Sequence, residues 1–172
     1  EYEEKMSNIN NYVETFARID LSEMSNIEKE ALQLVEAGHI EEGIKKYEEL
    51  RLRQQTKQQL DKLHAGDIVV KAGQEIVNTA QQDLLALVEK IKTQIGLYNM
   101  GGSDFNSKRD SSIVEIVNVY EALRKTFGAK YNNELGYWLI TLSKVCNGRD
   151  RLNYIQRAAE LPSAQGQAML GY

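Results

Sequence analysis

Apolar residues along this chain recur three and four positions apart, the spacing that gathers them on one face of a helix, and show no sustained alternation. Tyr2, Met6, Ile9, Val13 and Phe16 step by four, three, four and three, an a/d seam of about two heptads. After a connector at 20–24, Ser25-Asn26-Ile27-Glu28 reads as a capping box. It predicts a helix to about residue 37, closed by Gly38 in a left-handed cap. A second helix is predicted from near Ile40 to about His64, with Ala65-Gly66 as its break. Val77, Ala80, Leu84, Leu87, Ile91, Ile95 and Tyr98 hold the 3/4 spacing and predict a long helix over about 67–99, ended by Gly101-Gly102. Gly73 inside it costs about 1 kcal/mol against alanine and marks a kink or a close helix contact.

Residues 101–110, rich in Gly, Ser, Asn and Asp, read as the most loop-like stretch. Ser112-Ile113-Val114-Glu115 reads as a second capping box, opening a helix that runs to about Phe127 and is stopped by Gly128. Asn132 or Asn133 caps a helix through Val145. Asn147-Gly148 is a turn, Asp150 caps a helix to about Leu161, and Leu161-Pro162-Ser163 is a boundary before one more helix. The result is an all-α chain of seven or eight helices whose short connections favour antiparallel neighbours. Four segments follow: an amphipathic lead-in at 1–24, a helix hairpin at 25–66, a long linking helix at 67–102, and hairpins at 103–172.

Composition supports this reading. A single proline, Pro162, leaves nearly the whole of the 172 residues free to be helical. The β-branched run Ile68-Val69-Val70 is too short to argue for a strand. A net charge of −4, with basic residues scattered among acidic ones, argues against nucleic acid as the main partner. No stretch approaches the roughly 18 consecutive apolar residues of a membrane span.

Candidate chemistry is sparse. His39 in a turn and His64 near a helix end have no metal-ligand partner at helical spacing. The one cysteine, Cys146, sits next to Asn147 at a helix C-terminus, where the dipole raises a thiol pKa, and reads as structural. The motifs of phosphate loops, zinc sites and nucleophile elbows do not occur. Glu41 with Lys45, and Glu42 with Lys46, read as i,i+4 pairs on a solvated face. These features point away from an enzyme, and no cofactor or metal is expected.

Residues 27–50 alternate large and small side chains in a pattern that resembles the tetratricopeptide repeat. Ile27, Ala31 and Leu34 match the first helix, Gly38 the turn, and Gly43, Tyr47 and Leu50 the second helix. Small residues at Ala31 and Gly43 let the two helix axes approach. The family's first-helix Leu-Gly pair is replaced by Glu30-Ala31, and its proline after the second helix is missing. The stretch 113–161 resembles the repeats of kinesin light chains: Tyr120, Leu123, Phe127 and Gly128 close one repeat, Trp138, Leu142 and Val145 open the next, and Leu152, Ile155 and Ala158 form its second helix. Ala168-Met169-Leu170-Gly171-Tyr172 resembles the start of a further tetratricopeptide or Sel1-like repeat. The chain is therefore expected to continue past Tyr172 and, opening at Glu1 without a methionine, to be a fragment or a processed form. The connector at 16–22 is similar to one found in envelope-associated bacterial repeat proteins.

The resemblance implies antiparallel hairpins stacked as a short superhelix, a protein-interaction scaffold that binds a partner peptide or helix on its concave face. It assigns that face to Glu28, Leu32 and Val35 in the first hairpin and to Leu139, Ser143 and Cys146 in the later one. The same positions fit equally a buried role among neighbouring helices. Lys and Asn, which clamp a C-terminal carboxylate in chaperone-binding members, stand at none of them. A second reading makes the 2–16 seam and the long helix an oligomerising element, with the chain a homo-oligomer.

Overall fold

The computed structural model of the chain describes residues 22–65 and 72–162, with the backbone alone at 72 and 73. The 2–16 seam, the run at 68–70 and the helix expected from Ser163 lie outside the described residues, as do the surroundings of Gly73. The described residues form an all-α fold without strands: α1 (Asn26–Glu36), α2 (Ile40–Glu48), α3 (Leu52–Ala65), α4 (Ala72–Gly101), α5 (Asn106–Phe127), α6 (Asn132–Val145) and α7 (Gly148–Ala159). They divide into two compact units. One holds α1, α2, the end of α4 from Lys90 and the start of α5 to Arg109; the other holds residues 53–89 and the chain from Asp110 onward.

In the first unit, α1 opens with the expected capping box. The Glu28 amide donates to Ser25 Oγ at 3.3 Å, and the Ser25 amide donates to Glu28 Oε2 at 2.7 Å. Gly38, at φ +86°, turns the chain into α2, which packs antiparallel on α1. The contact is as close as the small residues allow. A Cβ built on Gly43 would lie 2.6 Å from Val35 Cγ2 and 3.1 Å from the Ala31 carbonyl oxygen. Beyond this contact Ile44 and Tyr47 are each only 1% exposed. Tyr47 donates its hydroxyl to the Lys90 carbonyl at 3.0 Å, which fixes α2 on α4. Its burial, with Glu28 nearby, pushes the phenol pKa well above the ordinary tyrosine range. At the rim, Glu48 Oε1 accepts from Tyr98 Oη at 2.9 Å and from Lys108 Nζ at 2.8 Å. Lys46 pairs with Glu30 at 2.8 Å across the hairpin and with Glu49 at 3.1 Å. The partner expected on its own helix, Glu42, is displaced because the hairpin brings Glu30 alongside.

The helix predicted from Ile40 to about His64 is two helices. The chain leaves α2 at Glu48; the amides of Glu49, Leu50 and Arg51 reach back three residues, each at 3.1 Å, and Arg51 takes a left-handed φ of +52°. Side chains five apart on an unbroken helix point about 140° from one another. Tyr47 and Leu52 are both buried, and the break allows it. That burial offsets the roughly 1–2 kcal/mol that a non-glycine residue loses in this conformation. No Gly, Asn or Pro lies between Lys45 and Leu60 to signal the stop.

In the second unit the core is drawn from Leu63 of α3, from Val77, Ala80, Leu84, Leu87 and Val88 of α4, from Ile113, Ile116, Val117, Val119, Tyr120 and Leu123 of α5, and from Leu135, Trp138, Leu139 and Leu142 of α6. The α5 helix begins at Asn106, so the expected loop at 101–110 shrinks to Gly102 and a 3-10 turn, Ser103–Phe105. The second capping box therefore lies inside a helix. Ser112 is buried one and a half turns in, without the extended backbone that a cap requires. The same joint recurs after α5: Gly128 at φ +92°, a 3-10 turn over Ala129–Tyr131, then α6 from Asn132. In both joints a left-handed glycine is followed three residues on by an aromatic and then by an asparagine: Gly102, Phe105, Asn106 and Gly128, Tyr131, Asn132. Phe105 stacks on Tyr98 at 5.9 Å, and Tyr131 accepts a hydrogen bond from Gln81 Nε2 at 2.7 Å, so each aromatic ties its turn to α4. After α6, the chain reverses at Asn147, and α7 packs back on α6 with Leu161 Cδ1 3.8 Å from where a Cβ on Gly136 would stand.

Gly43 and Gly136, both inside helices, have opposite consequences. At Gly43 an added methyl meets a stiff valine and a backbone oxygen, and overpacking of about 1–3 kcal/mol outweighs about 1 kcal/mol of helix propensity. Gly136→Ala makes only ordinary contact and keeps that propensity. Urea denaturation followed by circular dichroism is expected to show Gly43→Ala destabilised and Gly136→Ala stabilised by up to about 1 kcal/mol.

Candidate functional site

The six residues assigned to a partner-binding face fall in two places. In the first unit Glu28 is 8% exposed and fully engaged, by its cap hydrogen bond and by Lys90 Nζ at 3.5 Å. Val35 is buried against Gly43, and Leu32 is half-buried. In the second unit Leu139 is 1% and Ser143 3% exposed. Ser143 returns its hydroxyl to the Ile140 carbonyl at 2.6 Å, within its own helix. Cys146 is half-buried at the end of α6. Four of the six thus take part in the chain's own packing.

Leu139 nevertheless borders an opening. With Leu135 and Leu161 it lines a cleft of about 490 Å³ whose walls carry Glu121, Arg124, Lys125, Arg157 and Glu160. Arg157 is ion-paired to Glu121. Arg124 Nε donates to Asn132 Oδ1 at 2.6 Å, and Asn132 Nδ2 donates to the Pro162 carbonyl at 2.7 Å. The charges of the walls are thus largely spent on one another and on the chain's own turns.

A second groove of the same unit, about 380 Å³, lies between α3 and α5 and is lined by Arg53, Lys57, Asp61, His64, Ser111 and Glu115 among others. Burial raises the Glu115 pKa above the ordinary glutamate value, against the opposing pull of Arg53, whose Nε is 3.6 Å away, and of Thr56. His64 lies on this groove; His39 is exposed in the turn between α1 and α2. Among the described residues no group of three or more His, Cys, Asp or Glu side chains is arranged to hold a metal ion, and no helix is long and apolar enough to cross a membrane.

Of the six large apolar side chains exposed among the described residues, four belong to the α6–α7 hairpin, and the other two are Ile76 of α4 and Val114 of α5. Tyr137 is 65% exposed, edge-on to its neighbour Trp138 at 5.3 Å between ring centres, and Leu152 is 68% exposed. Ile140 and Ile155 are also exposed, and α7 has no buried residue along its whole length. Sequence reasoning placed Leu152 and Ile155 on a second repeat helix but had no signal that they would face solvent. An apolar stripe on a helix says that something covers it, not what.

No protein-family model, no curated protein and no solved structure matches this chain.

Two outcomes follow from the titratable groups. Because folding raises the Glu115 pKa, its contribution to stability is complete below the ordinary glutamate pKa and is lost as pH rises through the folded-state value. Glu115→Gln is therefore expected to flatten the pH dependence of the urea midpoint in mildly acidic solution and to cost little at pH 7; a steeper profile in the variant would contradict this. Burial, with Asp150 and Asp110, raises the Cys146 thiol pKa. Alkylation by iodoacetamide at neutral pH is expected to run slower than that of a free cysteine, and Asp150→Asn is expected to speed it.

Proposed function

We propose that this chain is a protein-interaction scaffold of tetratricopeptide-like helix hairpins, which binds a helix or an extended segment of a partner protein. The observation that carries the reading is the contrast within α6 and α7: Leu135, Leu139 and Leu142 close the core, while Tyr137 and Leu152 stand about two-thirds exposed. Large apolar side chains exposed together on neighbouring helices mark a surface that another protein can cover. The close approach at Ala31 and Gly43, the feature shared with the repeat family, supports the same reading for the first hairpin. The partner-facing residues proposed here are Tyr137, Ile140, Leu152 and Ile155, with Leu32 and Cys146 the only half-buried members of the set first assigned.

The test pairs the full chain with a Tyr137→Ser/Leu152→Ser variant, whose exposed positions leave the core intact. A partner captured from native lysate, identified and purified, is expected to bind the wild-type chain and to lose about tenfold or more in affinity for the variant, with both proteins equally helical. Equal binding by the two would remove the α6–α7 hairpin from the interface.

A further inference from the structure

We propose, building on the scaffold reading, that the outer face of α7 docks an amphipathic partner helix whose apolar stripe is flanked by acidic residues. Tyr154, Arg157 and Ala158 are the half-buried residues of α7 and define its inward side. At about 100° per residue, Leu152, Ile155 and Ala159 form a stripe turned about 130° away from them. Leu152 is 68% exposed, Ile155 37%. Arg151 falls on one flank of this stripe and Arg149 on the other, both exposed and, among the described residues, neither ion-paired.

The arginines are what select the partner. They stand in the first turns of α7, where the helix dipole disfavours cations, and the Asn147 side chain provides no cap. Their position thus works against the stability of the helix that carries them. With Arg157 ion-paired to Glu121, Arg149 and Arg151 against Asp150 leave the start of α7 net positive in a chain of net charge −4. An acidic flank on a partner would meet both arginines and the dipole together.

Other occupants fit less well. A helix face offers no free backbone groups for an added strand, so the segment that docks is a helix reading an i,i+3 pair of apolar anchors. Two copies of α7 paired parallel about a two-fold axis would set arginine against arginine, and paired antiparallel would set Arg149 and Arg151 against Ala158 and Gln156, which offer no carboxylate. Two aliphatic side chains without an aromatic make a narrow face for insertion into a bilayer.

The test uses the full chain and two fluorescein-labelled synthetic helical peptides with the same leucine stripe, one flanked by glutamates and the other by lysines. Fluorescence anisotropy is expected to show the glutamate peptide binding at least about tenfold tighter than the lysine peptide, with the difference shrinking in high salt. Leu152→Ser/Ile155→Ser and Arg149→Glu/Arg151→Glu should each weaken it by about tenfold or more. The arginine reversal should at the same time raise the melting temperature, because it puts carboxylates at a helix N-terminus. A loss of binding through misfolding would lower it instead.

Equal binding of the two peptides would overturn the acidic partner while leaving the scaffold reading in place. Binding of neither, or binding that ignores both variants, would overturn the docking face. A concentration-dependent dimer in light scattering that Leu152→Ser dissolves would overturn the proposal in favour of a second copy. Co-sedimentation with phosphatidylserine vesicles, lost in the same variant, would overturn it in favour of a membrane.

Discussion

Burial of α4 side chains is the constraint on which each unit rests. Val77, Ala80, Leu84, Leu87 and Val88 supply one core, and Ile91, Leu97 and Tyr98 the other, all of them less than a tenth exposed. Polar contacts then fix what the seam gathers. In the first unit the Lys90 carbonyl accepts the Tyr47 hydroxyl, and the Lys90 ammonium faces Glu28. In the second, Gln81, itself 9% exposed, donates to the hydroxyl of Tyr131. A phenol or amide buried without such a partner would cost about 1–3 kcal/mol, so each hydrogen bond helps set the register of the helix that it holds.

Small residues act where large ones cannot. Gly43 lacks the atom that would strike Val35, and Gly101 lacks one that would lie 2.7 Å from Ile44 Cδ1 and 2.5 Å from Phe105 Cδ2. The two joints built on Gly102 and Gly128 solve one problem twice. A left-handed glycine stops the helix, a 3-10 turn redirects the chain, and an aromatic anchors the turn before an asparagine opens the next helix. Lysines lie over the rings of both joints, Lys108 5.9 Å from the centre of Phe105 and Lys130 5.3 Å from that of Tyr131.

Much of the fold was legible because it is encoded locally. The Ser25 capping box, the Gly38 and Gly128 stops and the α4 seam are short-range patterns with short-range causes. The misreadings share one origin. Ser112 and Glu115 have the spacing of a cap, but Ser112 lies within α5, and Glu115 instead faces Arg53 and Thr56. The stop at Glu48 carries no turn residue, because burial of Tyr47 and Leu52, not backbone preference, breaks the helix there. The same distinction governs the candidate site. The repeat resemblance assigned Leu139 and Ser143 to a partner-facing side, but which face of α6 another helix covers is decided by packing, and both are buried. The exposed Tyr137 lies only two residues from the buried Leu139.

An interaction surface of this kind must be open in the free protein, and α7 is where that requirement is sharpest. Its helix is held from one side only, with no buried residue of its own. Amide hydrogen exchange of the free chain at low concentration, resolved by peptide mass spectrometry, tests this most directly. The account predicts that α7 amides exchange orders of magnitude faster than those of α6, since they open without unfolding the core. Protection of α7 equal to that of α6 would mean that α7 opens only with the core, and would contradict the account of a helix held from one side alone.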